Sequence, residues 1–135
     1  MTTAYLLDTN AASHIIRFPS GPVASRTLGE AKGAIGLSSI VVSELQFGVR
    51  KRGSERLAAL VEGLLRQFPI LAFGEDAARA YADIRHQLEK SGTPIGPMDT
   101  LIAGHATSLD ATLVTSNAVE FGRVEGLKVE DWTQA

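Results

Sequence analysis

Acidic and amide side chains follow several short apolar runs in this chain. Asp8 follows Tyr5-Leu6-Leu7. Glu44 follows the run Ala34–Ser38, Asp99 opens a helix past a Pro/Gly loop, and Asn117 and Glu120 follow Thr112–Thr115. In a parallel sheet the carboxyl ends of the strands share one edge, and the helices that follow start there, so these groups can converge in one crevice. Three or four carboxylates in one place repel strongly and stay ionised together only with cations bound. A donor set of oxygens without His or Cys points to Mg²⁺, with Mn²⁺ as an alternative. Such a site hydrolyses phosphodiesters: one or two metal ions activate water, brace the phosphate and stabilise the leaving oxygen. Taken alone, Asp8 reads equally well as the cap of the helix beginning at Ala11.

The elements that must position these groups alternate between strand and helix. Tyr5–Leu7 reads as a short buried strand and Asn10 to Arg17 as a short helix. A Pro/Gly/Ser loop precedes a second helix from Val23 to Ala34, and Ala34–Ser38 is the second strand. Ser39 is the expected N-cap of a helix over Ile40–Val49, and Gly53 is the expected break after Arg50-Lys51-Arg52. Ser54 to Phe68 repeats apolar residues at three-and-four spacing, and Pro69–Phe73 is a third strand. Glu75–Lys90 is the longest helix, and Asp99 opens another that runs to about Leu109. Thr112–Thr115, a turn through Glu120-Phe121 and Leu127–Glu130 complete the chain. This alternation implies an α/β fold with a central parallel sheet and helices on both faces, in a single domain over residues 1–135.

Composition narrows the function. The hydrophobic fraction is 44% and the charged fraction 21%, as in an ordinary globular domain. The absence of cysteine removes disulfides, zinc–thiolate sites and thiol nucleophiles. No apolar run approaches the roughly 20 residues of a membrane span, so a soluble, cytoplasmic protein is expected. A net charge of −2 argues against a simple nucleic-acid coat. The objection is weaker for a nuclease, whose bound cations reverse the local field. No P-loop, nucleophile elbow or dinucleotide fingerprint is present. An aspartyl phosphotransfer site is a poor match, because Asp8-Thr9-Asn10 lacks a second acid two residues on.

Other features have ordinary readings beside functional ones. Arg50, Lys51 and Arg52, with Arg56 nearby, either guide an RNA backbone or form a solvated helix end. Leu57, Leu60, Val61, Leu64 and Leu65 read as core, or else as a groove for a partner helix or a dimer seam. His14, His86 and His105 lack metal-ligand spacing, two are expected on exposed helix faces, and none is expected to act as a base. Trp132 reads as a packing residue.

Leu-Leu-Asp-Thr-Asn at 6–10, Ser-x-x-x-x-Glu-Leu-x-x-Gly from Ser39 to Gly48, Asp99-Thr-Leu-Ile-Ala, and the ending Leu-Val-Thr-Ser-Asn…Glu-Phe…Gly-Leu-Lys-Val-Glu-Asp-Trp occur in order. With them the chain resembles the PIN-domain ribonucleases, and among these the toxins of VapBC-type toxin–antitoxin systems, over nearly its whole length. The resemblance implies a three-layer α/β/α PIN-like domain acting as a Mg²⁺-dependent RNA endonuclease on a structured RNA such as tRNA. It implies Asp8, Glu44 and Asp99 as metal-binding carboxylates, a homodimer, and inhibition by a cognate antitoxin that places a basic side chain near the acids. The family's fourth acid is ambiguous here: Asn117 through its carbonyl or a held water, or Glu120 through its charge. That softened position keeps open a degenerate domain that binds RNA or a protein without cutting.

Overall fold

The structure, a computed structural model, describes residues 2–134. The elements are β1 (Tyr5–Leu7), α1 (Thr9–Arg17), α2 (Pro22–Leu28), β2 (Ile35–Ser38), α3 (Ser39–Arg52) and α4 (Glu55–Gln67). β3 (Ile70–Leu71), α5 (Glu75–Lys90), α6 (Pro97–Ser108), β4 (Thr112–Val114), α7 (Ala118–Phe121) and β5 (Val129–Glu130) follow.

All strand pairings are parallel, in the order β3-β2-β1-β4-β5. β1 is central, and Leu7 lies between Leu37 of β2 and Val114 of β4. Leu6 and Leu7 are fully buried, as an apolar strand covered on both faces must be. The chain steps outward through β2 and β3, then crosses back to β4 and β5. Right-handed crossovers place α1–α4 on one face and α5–α7 on the other, giving the three-layer α/β/α sandwich. Among the described residues no helix is long and apolar enough to cross a membrane.

Several local expectations change. The second helix stops at Leu28 rather than Ala34, with Gly29 as its C-cap and a turn through Gly33 at φ 84°. Ser38, not Ser39, is the N-cap of α3: its extended backbone leaves Oγ free to accept the Ile40 N–H at 3.0 Å. Ser39 is already helical, and its Oγ accepts the Phe73 N–H instead. α3 runs on to Arg52 and ends at Gly53, whose φ of 62° suits a residue without a Cβ. The third strand shrinks to two residues at the sheet edge, although the Pro69 carbonyl still accepts the Leu37 N–H. The last strand likewise starts at Val129 rather than Leu127. Pro97 occupies the first turn of α6, which makes Asp99 its third residue rather than its first.

Four of the five residues of the α4 apolar stripe lie in or against the core. Val61 and Leu64 are buried and Leu57 and Leu65 half-buried, while Leu60 remains 41% exposed. Trp132 is buried, edge-on to Tyr5, with the Arg26 guanidinium over its ring. On the opposite face α6 packs directly on α5, where a Cβ at Gly104 would stand 2.8 Å from the Tyr81 backbone N.

Candidate active site

Each candidate acid is held at the carboxyl edge of the sheet by local chemistry. Asp8 leaves β1 with extended backbone and caps α1, its Oδ1 accepting the Ala11 N–H at 2.7 Å. It is only 3% exposed and also receives a hydrogen bond from the Thr115 side chain at the end of β4. Capping α1 through Oδ1 does not remove Asp8 from the neighbourhood of the other acids, since Glu44 and Asp131 both act on its carboxyl. Burial raises the Asp8 carboxyl above its ordinary value against those hydrogen bonds, and Glu44 and Asp131 push the same way.

Glu44 projects from α3 toward α1, where the Thr9 hydroxyl donates to its Oε1 at 2.5 Å. Asp99, in the first turn of α6, is raised from 3.8 to about 6, chiefly by burial and then by Glu120, Asp8 and Glu44. Asp99 also hydrogen-bonds to Glu120. Glu120 moves the opposite way, below its ordinary value, because the Gly96 N–H donates to Oε1 at 2.8 Å and Asn117 Nδ2 donates to Oε2.

The structure thus brings Asp8, Glu44, Asp99 and Glu120 into one electrostatic neighbourhood. Asn117 serves Glu120 by directing its amide N–H at that carboxylate. Two contributors were not singled out in the sequence as site groups: the Gly96 N–H and Asp131. Thr115 has the look of a turn hydroxyl, and it does accept the Asn117 N–H, but it is buried and faces Asp8 as well. Asp131 follows β5 as Asp8 follows β1, a parallel readable from the sequence once the strand was placed.

The donor set suits a hard divalent cation: four carboxylates lie within electrostatic reach of one another, and burial first, then their repulsion, raises Asp8 and Asp99. The acids ring this space rather than closing on one point. Among the described residues no three acidic, imidazole or thiol side chains stand together as a finished cage. Glu44 leans on Thr9, and Glu120 leans on Asn117 and Gly96.

A groove of about 860 Å³ runs from Thr9 and Glu44 between α1, α3 and α4. Arg17, Lys51, Arg52 and Arg56 line it, over a floor that includes Leu57 and Val61. The histidines differ from expectation. His105 is buried and His14 half-buried, so only His86 lies on an exposed face. No histidine is among the hydrogen-bond partners of the four acids.

Fold and acidic crevice together define a PIN-domain protein, and the PIN-domain family model matches residues 5–127. The tRNA(fMet)-specific endonuclease VapC of Shigella flexneri is 37% identical over 130 residues, covering 96% of this chain and 98% of that protein. The enzyme of the same name from Salmonella typhimurium is 38% identical, covering 95% and 97%. Among solved structures, VapBC from Salmonella typhimurium bound to DNA has a TM-score of 0.89 at 36% identity, covering 97% of this chain and 99% of that one. VapBC2 of Rickettsia felis, bound to a promoter DNA fragment, has a TM-score of 0.88 at 35% identity, covering 96% and 99%. The chain belongs to the PIN-domain family and, within it, to the VapC ribonucleases.

Proposed function

We propose that this ribonuclease is a Mg²⁺-dependent RNA endonuclease, with Mn²⁺ able to substitute, acting as the toxin of a type II toxin–antitoxin pair in the cytoplasm. The observation that carries the reading is the electrostatic convergence of Asp8, Glu44, Asp99 and Glu120, with Glu44 also lining a groove that Arg17, Lys51, Arg52 and Arg56 share. The tRNA(fMet) specificity of the Shigella and Salmonella relatives supports a tRNA as substrate.

Asp8 and Asp99 would hold the ion directly, and Glu44 would complete the shell or position the attacking water. The bound ion supplies Lewis acidity and lowers the pKa of a water to make the nucleophile. The chain's own residues prepare the ground. Thr9 orients Glu44, Thr115 and the Ala11 N–H orient Asp8, and Asn117 with the Gly96 N–H fixes Glu120 against Asp99. Arg17, Lys51, Arg52 and Arg56 neutralise phosphates along the approach.

The same groove supports an antitoxin. Its floor is apolar, Leu60 is exposed beside it, and the VapBC structures are complexes. A guanidinium from that partner would pair with the crowded acids in place of a metal ion. The active unit in this reading is a homodimer.

Purified protein is incubated with total cellular RNA in Mg²⁺, in Mn²⁺ and in EDTA, beside Asp8→Asn, which preserves the α1 cap. Discrete fragments that require both metal and Asp8 are expected. A folded parental chain that binds RNA without cutting it in either metal would overturn the proposal in favour of the degenerate, RNA-binding domain.

A further inference from the structure

A second polar contact lies beside the crevice, and the metal-site reading does not use it. His105 Nδ1 stands 2.8 Å from Ser38 Oγ, and the two residues are 2% and 0% exposed. Ser38 ends β2 and caps α3, the helix that carries Glu44. His105 lies on α6, the helix that carries Asp99. α3 and α6 belong to opposite layers yet touch. Among the described side-chain hydrogen bonds, His105–Ser38 is the one that joins α6 to the β2–α3 junction.

The surroundings favour a directed bond over a filled space. Phe73 stands edge-on to the imidazole, with ring centroids 5.6 Å apart, and its own N–H donates to Ser39. A ring nitrogen in such a place is costly without a partner. Burial holds His105 below its ordinary value, so the ring is neutral at neutral pH. The Ser38 hydroxyl already accepts the Ile40 N–H and has one proton, free to donate to Nδ1. α6 also packs on α5, through the close approach at Gly104, and against β4, but those contacts are apolar or backbone and set no polar spacing to α3.

We propose that His105 is a positioning residue for the nuclease: its bond to Ser38 sets the spacing of the Glu44-bearing and Asp99-bearing helices so that both carboxylates serve one divalent cation. This role rests on the metal-dependent reading given above. An apolar ring-sized filler would satisfy packing, whereas spacing requires a polar atom at the Nδ1 position. Asn places its amide close to where Nδ1 lies, and Gln places it near Nε2, so the two variants separate geometry from polarity.

Mn²⁺ affinity is measured by calorimetric titration for the parental chain, Asp8→Asn, His105→Leu, His105→Asn, His105→Gln and Ser38→Ala, with a melting curve for each. His105→Leu, His105→Gln and Ser38→Ala are expected to lose about tenfold in affinity while His105→Asn stays within about threefold of the parent, the scale seen for outer partners of metal ligands. In RNA cleavage the same three lose kcat with KM unchanged. If His105→Leu does not fold, the Asn–Gln comparison decides. Tight Mn²⁺ binding by the parent with equal affinity in Asn and Gln variants overturns the positioning role alone. So does a loss that merely tracks the melting temperature. A parent that binds no Mn²⁺, indistinguishable from Asp8→Asn, overturns the metal reading and this role with it.

Discussion

At Asp99 burial and three neighbouring carboxylates act in one direction, and the carboxyl rises from 3.8 to about 6. An acid whose folded value exceeds its unfolded one binds its proton more tightly when folded, so stability falls as pH rises between those two values. The full shift corresponds to about 3 kcal/mol, and solvent screening at a partly exposed group reduces it to about 1 kcal/mol. In EDTA, Asp99→Asn should therefore melt a few degrees above the parent at about pH 7.5, and the gap should close as pH falls through 6 toward 4. With Mg²⁺ or Mn²⁺ added the order should reverse, because only the parent gains from the ion. Glu120→Gln should depress cleavage strongly. Asn117→Ala should cost about tenfold, since the Gly96 N–H still holds the carboxylate. Equal, full activity in both variants would remove this corner from the site. That Asp8, Glu44 and Asp99 come within electrostatic reach of one another was legible, because in a parallel sheet strand ends and the helices that follow them share one edge. The Gly96 N–H was not, because a backbone amide looks the same in sequence wherever it points.

At the scale of elements, close approach matters more than propensity. Gly104 lets α6 lie against the Tyr81 backbone, and a methyl there would meet atoms at 2.8 and 2.9 Å. Gly104→Ala should destabilise the fold by about 1–3 kcal/mol and lower Mn²⁺ affinity, since α6 carries Asp99. Gly63→Ala in α4 meets nothing within 4 Å and should instead raise stability by about 0.5–1 kcal/mol. Thermal melts of the two variants check both signs. The long, strongly periodic helices were readable almost to the residue: Glu75–Lys90 coincides with its expected span. The ends of short elements were not. Ser38 and Ser39 are both good caps by type, and only the extended backbone of Ser38 decides between them. α2 stops early because Gly29 and Gly33 form turns that its mixed polarity does not oppose.

Over the whole molecule, net charge and charge distribution tell different stories. The chain carries −2 overall, yet Arg17, Lys51, Arg52 and Arg56 share one groove with Glu44. Arg17 comes from α1, Lys51 and Arg52 from α3 and Arg56 from α4, so the groove exists only after folding. The sequence supplied the cluster at 50–56 but not its meeting with Arg17 and Glu44. Charge reversal at Arg52 and Arg56 should raise KM for RNA and flatten the dependence of log KM on log salt by about one for each lost phosphate contact. Cleavage measured from low to moderate salt checks this. An unchanged slope would assign these cations to the solvated helix end instead.

The sheet order has a consequence in time. β1 meets β4 only when Leu7 lies beside Val114, and Thr115, which follows, bonds to Asp8. A ribosome delivers Asp8 and Glu44 early, then must add α5, α6 and β4 before their partners exist. Until β4 pairs with β1, a growing chain therefore lacks both the Thr115 bond to Asp8 and the Asp99 carboxylate that crowds it.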